Sequence, residues 1–295
     1  MKPFILLIIL LFCSSILRSE DLRFYGYGTD DGISVGKVSM TFQDSRGFIW
    51  IATEDGLNLF DGYKFTVFRN RKDDSNSISN NKIFDIVESS DRVLWIATGY
   101  GLNAYDLNTG NFKAFTTQIT NNALTDNEIR SLHVCRDSIL LIGTHQGGLH
   151  RMNLRTQTIS KIELPGNPAF IRSVRCTGQE VLVGTHGFSF YVYNCKTNDA
   201  QHISISESEE NQYIDQVNAF LVRPDRHVWV ATENGIFDWH RATGNITNIT
   251  PRQLFDEADE VVRVRDFLED RDGIVWVATN LGLLRYENGQ WKRNV

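Results

Sequence analysis

Beyond residue 22 the chain reads as short runs of apolar and polar residues broken by turn residues. One stretch shows the pattern. Ile83-Phe84-Asp85-Ile86-Val87 is rich in β-formers, and Ser89-Ser90-Asp91-Arg92 makes a polar turn. Leu94-Trp95-Ile96-Ala97-Thr98 is a second strand, and Gly99-Tyr100-Gly101 turns the chain again. Leu102-Asn103-Ala104-Tyr105-Asp106 alternates as a half-buried strand does. Leu107-Asn108-Thr109-Gly110 is the next turn, and Asn111-Phe112-Lys113-Ala114-Phe115 the fourth strand.

The pattern recurs. Its anchors are Trp50, Trp95, Leu141, Leu182, Trp229 and Trp276, spaced by 45, 46, 41, 47 and 47 residues. Each is followed by Ile-Ala-Thr, Val-Ala-Thr, Ile-Gly-Thr or Val-Gly-Thr. Four short antiparallel strands in a unit of about 45 residues predict the blade of an all-β propeller, here over residues 20–295. The small pair suits crowding of inner strands toward a central axis. The preceding Trp or Leu fills the wider space between neighbouring blades. Strand-like segments also lie at Arg23-Phe24-Tyr25-Gly26-Tyr27, before the first copy, and at Gln290-Trp291-Lys292-Arg293, closing the last. Six blades plus an orphan outer strand predict a seven-bladed ring interrupted at residue 295, with closure by six blades as the alternative. An interrupted ring leaves an uncovered blade face.

The run from Asp44 through Trp50-Ile51-Ala52-Thr53-Glu54-Asp55-Gly56-Leu57-Asn58 to Gly62 resembles the two-component regulator propeller repeat. The resemblance is sharpest in the copies at Trp50, Trp95, Trp229 and Trp276, and weaker at Leu141 and Leu182. It implies the periplasmic sensor region of a Bacteroides-type hybrid two-component system. In that family paired seven-bladed propellers precede a β-sandwich, a membrane helix, a histidine kinase, a receiver and a DNA-binding module. The propellers detect breakdown products of complex glycans. The resemblance therefore implies an oligosaccharide ligand, with the remaining sensor domains or a dimer partner as protein contacts. The kinase and DNA-binding parts are not in this sequence.

With 36 acidic and 30 basic residues, the formal charge is −6 and the pI about 5.7. That balance argues against general nucleic-acid binding. Lys2, the apolar run Phe4 to Phe12 and the small residues Cys13 to Ser15 predict a secretory signal peptide over residues 1–19. An uncleaved anchor is the alternative route to a membrane; otherwise an exported, periplasmic chain is expected. Bulky Phe12 before Cys13 argues against a lipobox. Cys135, Cys176 and Cys195 are an odd set without metal-ligand spacing, so buried thiols are expected.

P-loop, Gly-x-Ser-x-Gly and His-Glu-x-x-His sequences are absent, so no catalytic residue or cofactor is assigned. His145 and His186 occupy one place in adjacent copies, but a third ligand is not evident and no metal is expected. Paired carboxylates serve glycoside hydrolysis; Glu54-Asp55 is such a pair, yet repeated turn acids read as solvated. Turns between second and third strands share a face with the loops that link blades. Their residues should converge on one mouth of the channel. Candidate ligand contacts are Asp55, Tyr100, His145, Gln146, His186, Phe188, Glu233 and Asn280, with Lys37, Lys82 and Arg263 from the blade-opening positions. Unlike the scaffold, these positions differ from copy to copy. A polar set with Tyr100 and Phe188 as stacking faces suits sugar hydroxyls and C–H surfaces. Sensing by ligand binding is the leading reading. A protein-interaction scaffold and a polysaccharide hydrolase or lyase are the alternatives.

Overall fold

A computed structural model describes residues 25–34, 37–136, 138–205, 216–255 and 261–294. The expected signal peptide lies outside them, as do Arg23 and Phe24. Six four-stranded antiparallel sheets follow one another along the chain. Blade 1 comprises β1 (Val38–Gln43), β2 (Ile49–Thr53), β3 (Gly56–Phe60) and β4 (Phe65–Phe68). Blade 2 comprises β5 (Ile83–Ser89), β6 (Val93–Thr98), β7 (Gly101–Asp106) and β8 (Phe112–Phe115). Blade 3 holds β9 (Ile129–Cys135), β10 (Ile139–Thr144), β11 (Leu149–Asn153) and β12 (Ile159–Ile162). Blade 4 holds β13 (Ile171–Thr177), β14 (Glu180–Thr185), β15 (Phe190–Asn194) and β16 (Ala200–Ile203). In blade 5 the strands are β17 (Val217–Val222), β18 (His227–Thr232), β19 (Gly235–His240) and β20 (Ile246–Asn248). Blade 6 runs through β21 (Val264–Glu269), β22 (Val275–Thr279), β23 (Gly282–Glu287) and β24 (Gln290–Asn294). The propeller expected from the repeats is thus the fold.

Apolar burial sits between blades, as the Trp and Leu anchors required. Each hydrophobic cluster draws on two consecutive blades: Trp50 with Ile86, Trp95 with Leu132, Leu141 with Val174, Leu182 with Phe220, and Leu221 with Val264. Trp50 meets Tyr105 of the next blade at 5.5 Å, and Trp229 stacks on Trp291 at 5.4 Å. Three anchor indole N–H groups are satisfied within their own blade. Trp50 donates to Asp44, Trp276 to Asp270 and Trp95 to the Ser89 hydroxyl. Burial opposes the charge of Asp44, but hydrogen bonds from Trp50, Arg46 and the Phe48 N–H hold its carboxyl below the usual range.

The Ala-Thr and Gly-Thr pairs have a more local reason than crowding at the axis. A Cβ on Gly143 would lie 2.4 Å from its own blade's Ser131 hydroxyl and 2.7 Å from Ile171 of the next blade. The threonine locks the following turn. Thr53 Oγ1 accepts the Asp55 N–H and donates to the Gly56 carbonyl; Thr98, Thr232 and Thr279 repeat both bonds. Gly56 closes its turn at φ +129°, a region that excludes most side chains. In blades 3 and 4 the threonine reaches one residue further, to the Gly148 and Ser189 carbonyls. That longer turn is why the motif looks degraded there.

Two expectations are corrected. Tyr25, Gly26 and Tyr27 form no strand; the Tyr27 ring instead packs on Phe60 at 5.1 Å and Phe65 at 5.8 Å, against blade 1. Cys135 and Cys176 are not buried thiols but a disulfide with Cα atoms 5.9 Å apart. They sit at the far ends of β9 and β13, inner strands that pack side by side. Cys195 is the thiol that remains among the described residues. Blade 6 presents an open face: Leu268 is 65% exposed, whereas its counterpart Leu221 in blade 5 is 7% exposed.

The disulfide closes a loop of sequence separation 41, for which the chain-entropy account gives about 4 kcal/mol. Replacing Cys135 and Cys176 together by serine is expected to lower Tm by several degrees in scanning calorimetry. Addition of reductant should reproduce the drop in the parent chain and leave the variant unchanged.

Candidate functional site

All six inner strands surround a central cavity of about 560 Å³. At its mouth end each inner strand breaks register against its neighbour, between Val38 and Met40, Ile83 and Asp85, Ile129 and Ser131, Ile171 and Ser173, Val217 and Ala219, and Val264 and Asp266. One extra residue on one strand is a β-bulge, which re-aims a side chain. The bulge residues are Ser39, Phe84, Arg130, Arg172, Asn218 and Arg265, and all six line the cavity. The scaffold is thus the same in every blade, while its projecting residue differs.

Just above lies the rim. The carbonyl of the blade-opening residue accepts the N–H of the residue that follows the threonine: Lys82 from Gly99, Glu128 from His145, Phe170 from His186, Gln216 from Glu233 and Arg263 from Asn280. In blade 1 the same two places hold the Lys37–Glu54 ion pair at 2.7 Å. These pairs set opening residue and turn residue side by side around the channel.

The eleven candidates divide accordingly. Glu233 is the hub. Its carboxylate meets Arg265 at 2.5 Å, Arg172 at 3.6 Å and Arg263 at 3.8 Å, and accepts from Asn218 at 3.0 Å. His186 stacks on Phe170 at 5.2 Å, and His145 meets the same ring edge-on at 4.7 Å. His145 also pairs with Glu128, which in turn binds Arg130. Lys82 lies over Phe84 at 5.2 Å. Lys37 stays with Glu54, whose carboxyl that bond holds low.

Other candidates stand outside this circle. Asp55 is held by Arg69 at 3.0 Å in the segment linking blades 1 and 2. Tyr100 and Phe188 are half exposed, and the Gln146 backbone is tied to Asp126. Asn280 spends its side chain on the Arg263 N–H and the Val261 carbonyl. None of the eleven is on the cavity wall itself.

Residues missed in the sequence are the bulge set and Phe170. Arg130 stacks over Phe84 at 4.1 Å and over Phe170 at 5.2 Å, and Arg172 lies 5.6 Å from Phe170. The first hairpin of blade 4 is one residue shorter, so counting back from Leu182 lands on Ala169 instead of Phe170. Counting forward from the repeated Ile or Val would have found the bulge positions, where the next residue is Ser, Phe, Arg, Arg, Asn and Arg in turn. Burial, reinforced by Arg172, pushes the His186 imidazole down and keeps it neutral.

Deeper in the channel, Asp85 accepts the N–H of Leu132 from the next blade at 2.7 Å. Ser173 donates to the Val217 carbonyl and Asn218 to the Val264 carbonyl, so side chains tie inner strands in sequence. Desolvation, with repulsion from Asp266 across the channel, raises the Asp85 carboxyl to about 7, against the bonds from Leu132 and Ile86. The chemistry on display is binding: planar cations, two aromatic faces, an amide and carboxylates around an open well.

Comparison with known proteins agrees with the blades. The family profile described as "Two component regulator propeller" matches residues 77–100 and 259–281. A histidine kinase of Formosa agariphila is 40% identical over 62 residues, which is 21% of this chain and 4% of that protein. Two extracellular domains assigned to hybrid two-component systems of B. thetaiotaomicron share the fold. One has TM-score 0.78 at 20% identity, covering 92% of this chain and 36% of the other; the second has TM-score 0.70 at 22% identity, covering 87% and 32%. A surface component of the type-IX secretion system of Porphyromonas gingivalis also matches, with TM-score 0.66 at 16% identity, covering 92% and 43%. The chain therefore spans about a third of the two extracellular domains and a small fraction of the kinase.

Because the folded-state Asp85 carboxyl lies above its unfolded value of 3.8, the folded protein binds the extra proton between about pH 4 and 7. Stability should therefore fall as pH rises through that window. Asp85→Asn is expected to flatten this slope in urea titrations and to gain about 1 kcal/mol at pH 8, channel water screening the rest.

Proposed function

We propose, from the match of two of its repeats to the two-component regulator propeller profile, that this chain is an exported sensor propeller. It forms the extracytoplasmic, ligand-sensing part of a hybrid histidine-kinase regulator and recognises glycan breakdown products at the mouth of its channel. One observation carries this reading. One repeated scaffold presents four different residue types at six equivalent positions around one opening, through a bulge repeated in every blade. Packing explains likeness between copies; it does not explain why six equivalent positions hold Ser, Phe, Arg, Arg, Asn and Arg. Phe84 and Phe170 seat the stacked arginines beside the well, while Glu233, Asn218 and His186 offer polar partners for hydroxyls.

The disulfide supports export, since such bonds persist in oxidising compartments. Residues 1–19 are read as the signal peptide and 20–295 as propeller. The open face of blade 6, with Leu268 and Trp276, is read as the place where a seventh blade completes the ring. Ligand binding involves no bond making. It biases how the propeller packs on the remaining sensor domains or on a dimer partner, and that shift of population is the signal.

Calorimetric titration of the purified chain and of the complete sensor with an oligosaccharide panel tests the reading. At least one member should bind, with Phe170→Ala weakening it about tenfold, or 1.4 kcal/mol, and Tyr100→Ala leaving it unchanged. Silence of both proteins across the panel overturns the proposal. A His186→Ala variant that keeps sugar affinity but loses assembly with the rest of the sensor favours the scaffold reading.

A further inference from the structure

Resting on the saccharide reading above, we infer that the mouth takes an anionic oligosaccharide, one bearing a carboxylate or a sulfate, with Arg130 and Arg172 as its principal donors. The chain as a whole carries a charge of −6, yet its cations gather here. Lys37, Lys82, Arg130, Arg172, Arg263 and Arg265 come from the rim and bulge positions of five blades. Opposing them are Glu54, Glu128 and Glu233, with Asp126 set behind and held by the N–H groups of Glu128 and Gln146.

The donors outnumber what these carboxylates accept. Glu233 faces three guanidinium groups, and only Arg265, at 2.5 Å, is within hydrogen-bond distance; Arg172 and Arg263 stand at 3.6 and 3.8 Å. A carboxylate offers about four lone-pair sites and a guanidinium five N–H donors. Arg130 Nε is a buried donor that lacks a hydrogen-bond partner; Asn218 Oδ1, an acceptor, and His186 Nδ1 lack one too. Unpaired buried polar atoms are costly, and a group of them around one well marks a place built for something that pairs with them.

Orientation favours a planar or tetrahedral anion. Arg130 lies over the Phe84 and Phe170 rings, and Arg172 lies 5.6 Å from Phe170. Stacking uses guanidinium faces; one N–H edge of Arg130 binds Glu128 and one of Arg172 binds Gln216 at 3.1 Å, and the donors that remain fit carboxylate and sulfate oxygens. Both arginines are three-quarters buried, so little solvent screens the contact. His186, stacked on Phe170, and Asn218 Oδ1 offer partners for saccharide hydroxyls, which makes an acidic saccharide a better fit than a bare anion.

The full chain is titrated in a calorimeter with a galacturonate trimer, an O-sulfated hexosamine disaccharide, a neutral galactose trimer and inorganic sulfate. An acidic saccharide should bind at least tenfold more tightly than the neutral one and than sulfate alone. Its affinity should fall as salt is raised from about 50 to 300 mM. Arg172→Gln and the more exposed Arg263→Gln should each weaken it, the first by tenfold or more, with Tm recorded to show that both fold. The stronger of the carboxylate and sulfate probes identifies the group recognised. If the neutral trimer binds as well as the acidic probes, or acidic binding survives Arg130→Gln and Arg172→Gln in folded protein, the inference falls while the sensor reading stands. If no saccharide binds, the inference falls, and the sensor reading is decided by the wider panel with the complete sensor.

Discussion

A sheet of four short strands has two faces and no second layer of its own, so it can leave water only by leaning on another sheet. That single requirement organises the molecule. Every apolar cluster is shared by two successive blades, and no blade contains a core of its own among the described residues. The large anchor is placed where the gap between radiating sheets is wide, as with Trp50 against Tyr105. The small pair beyond it is placed where the gap closes, as with Gly143 against Ile171. Stability in such an array is a chain of neighbour contacts more than a property of any one unit.

The same requirement explains why function gathers at the mouth. Side chains committed to the gaps between blades cannot vary, and turn threonines are bound to their own loops. Freedom is left only where the inner strand steps out of register. There a residue leaves the sheet, faces the axis and meets neighbouring blades through its polar or aromatic end, as Asn218 does the Val264 carbonyl and Arg130 the Phe84 ring. Six such positions, each fixed in space by a rigid frame and free in chemistry, are what a recognition surface needs. Their near neighbours on the rim are coupled to them by charge, with Glu233 drawing together arginines from blades 4 and 6.

Much of the frame was legible because packing repeats itself in the sequence. The anchors, the small pair and the Gly-Leu-Asn run each report one contact made in several copies, and β5 to β8 fall within two residues of the strands read from alternation. The site was only half legible. Strict alternation points Phe84, Arg130 and Arg172 no differently from any strand residue, and a bulge shows itself only in the pairing register. Glu233, His145 and His186 entered the candidate set because turns vary, and Lys82 and Arg263 because they open their blades; the structure brings these five to one rim. Asp55 and Asn280 were drawn in by the same rule, although local bonds hold their side chains. The cysteine pair was hidden because two of three thiols in adjacent repeats look like any buried apolar pair. Only the lateral contact of β9 with β13 makes them partners.

That bond has a mechanical meaning. It clasps the third and fourth blades, on the side of the ring away from the exposed face of the sixth. A ring riveted at one point cannot dilate evenly. Whatever breathing the structure has must be hinged at the clasp and widest near the first and sixth blades, where the inner strands β1 and β21 are also the most solvated. Arg172 rides on the fixed jaw and Arg265 on the free one. A guest gripping both would therefore work against the full leverage of the opening.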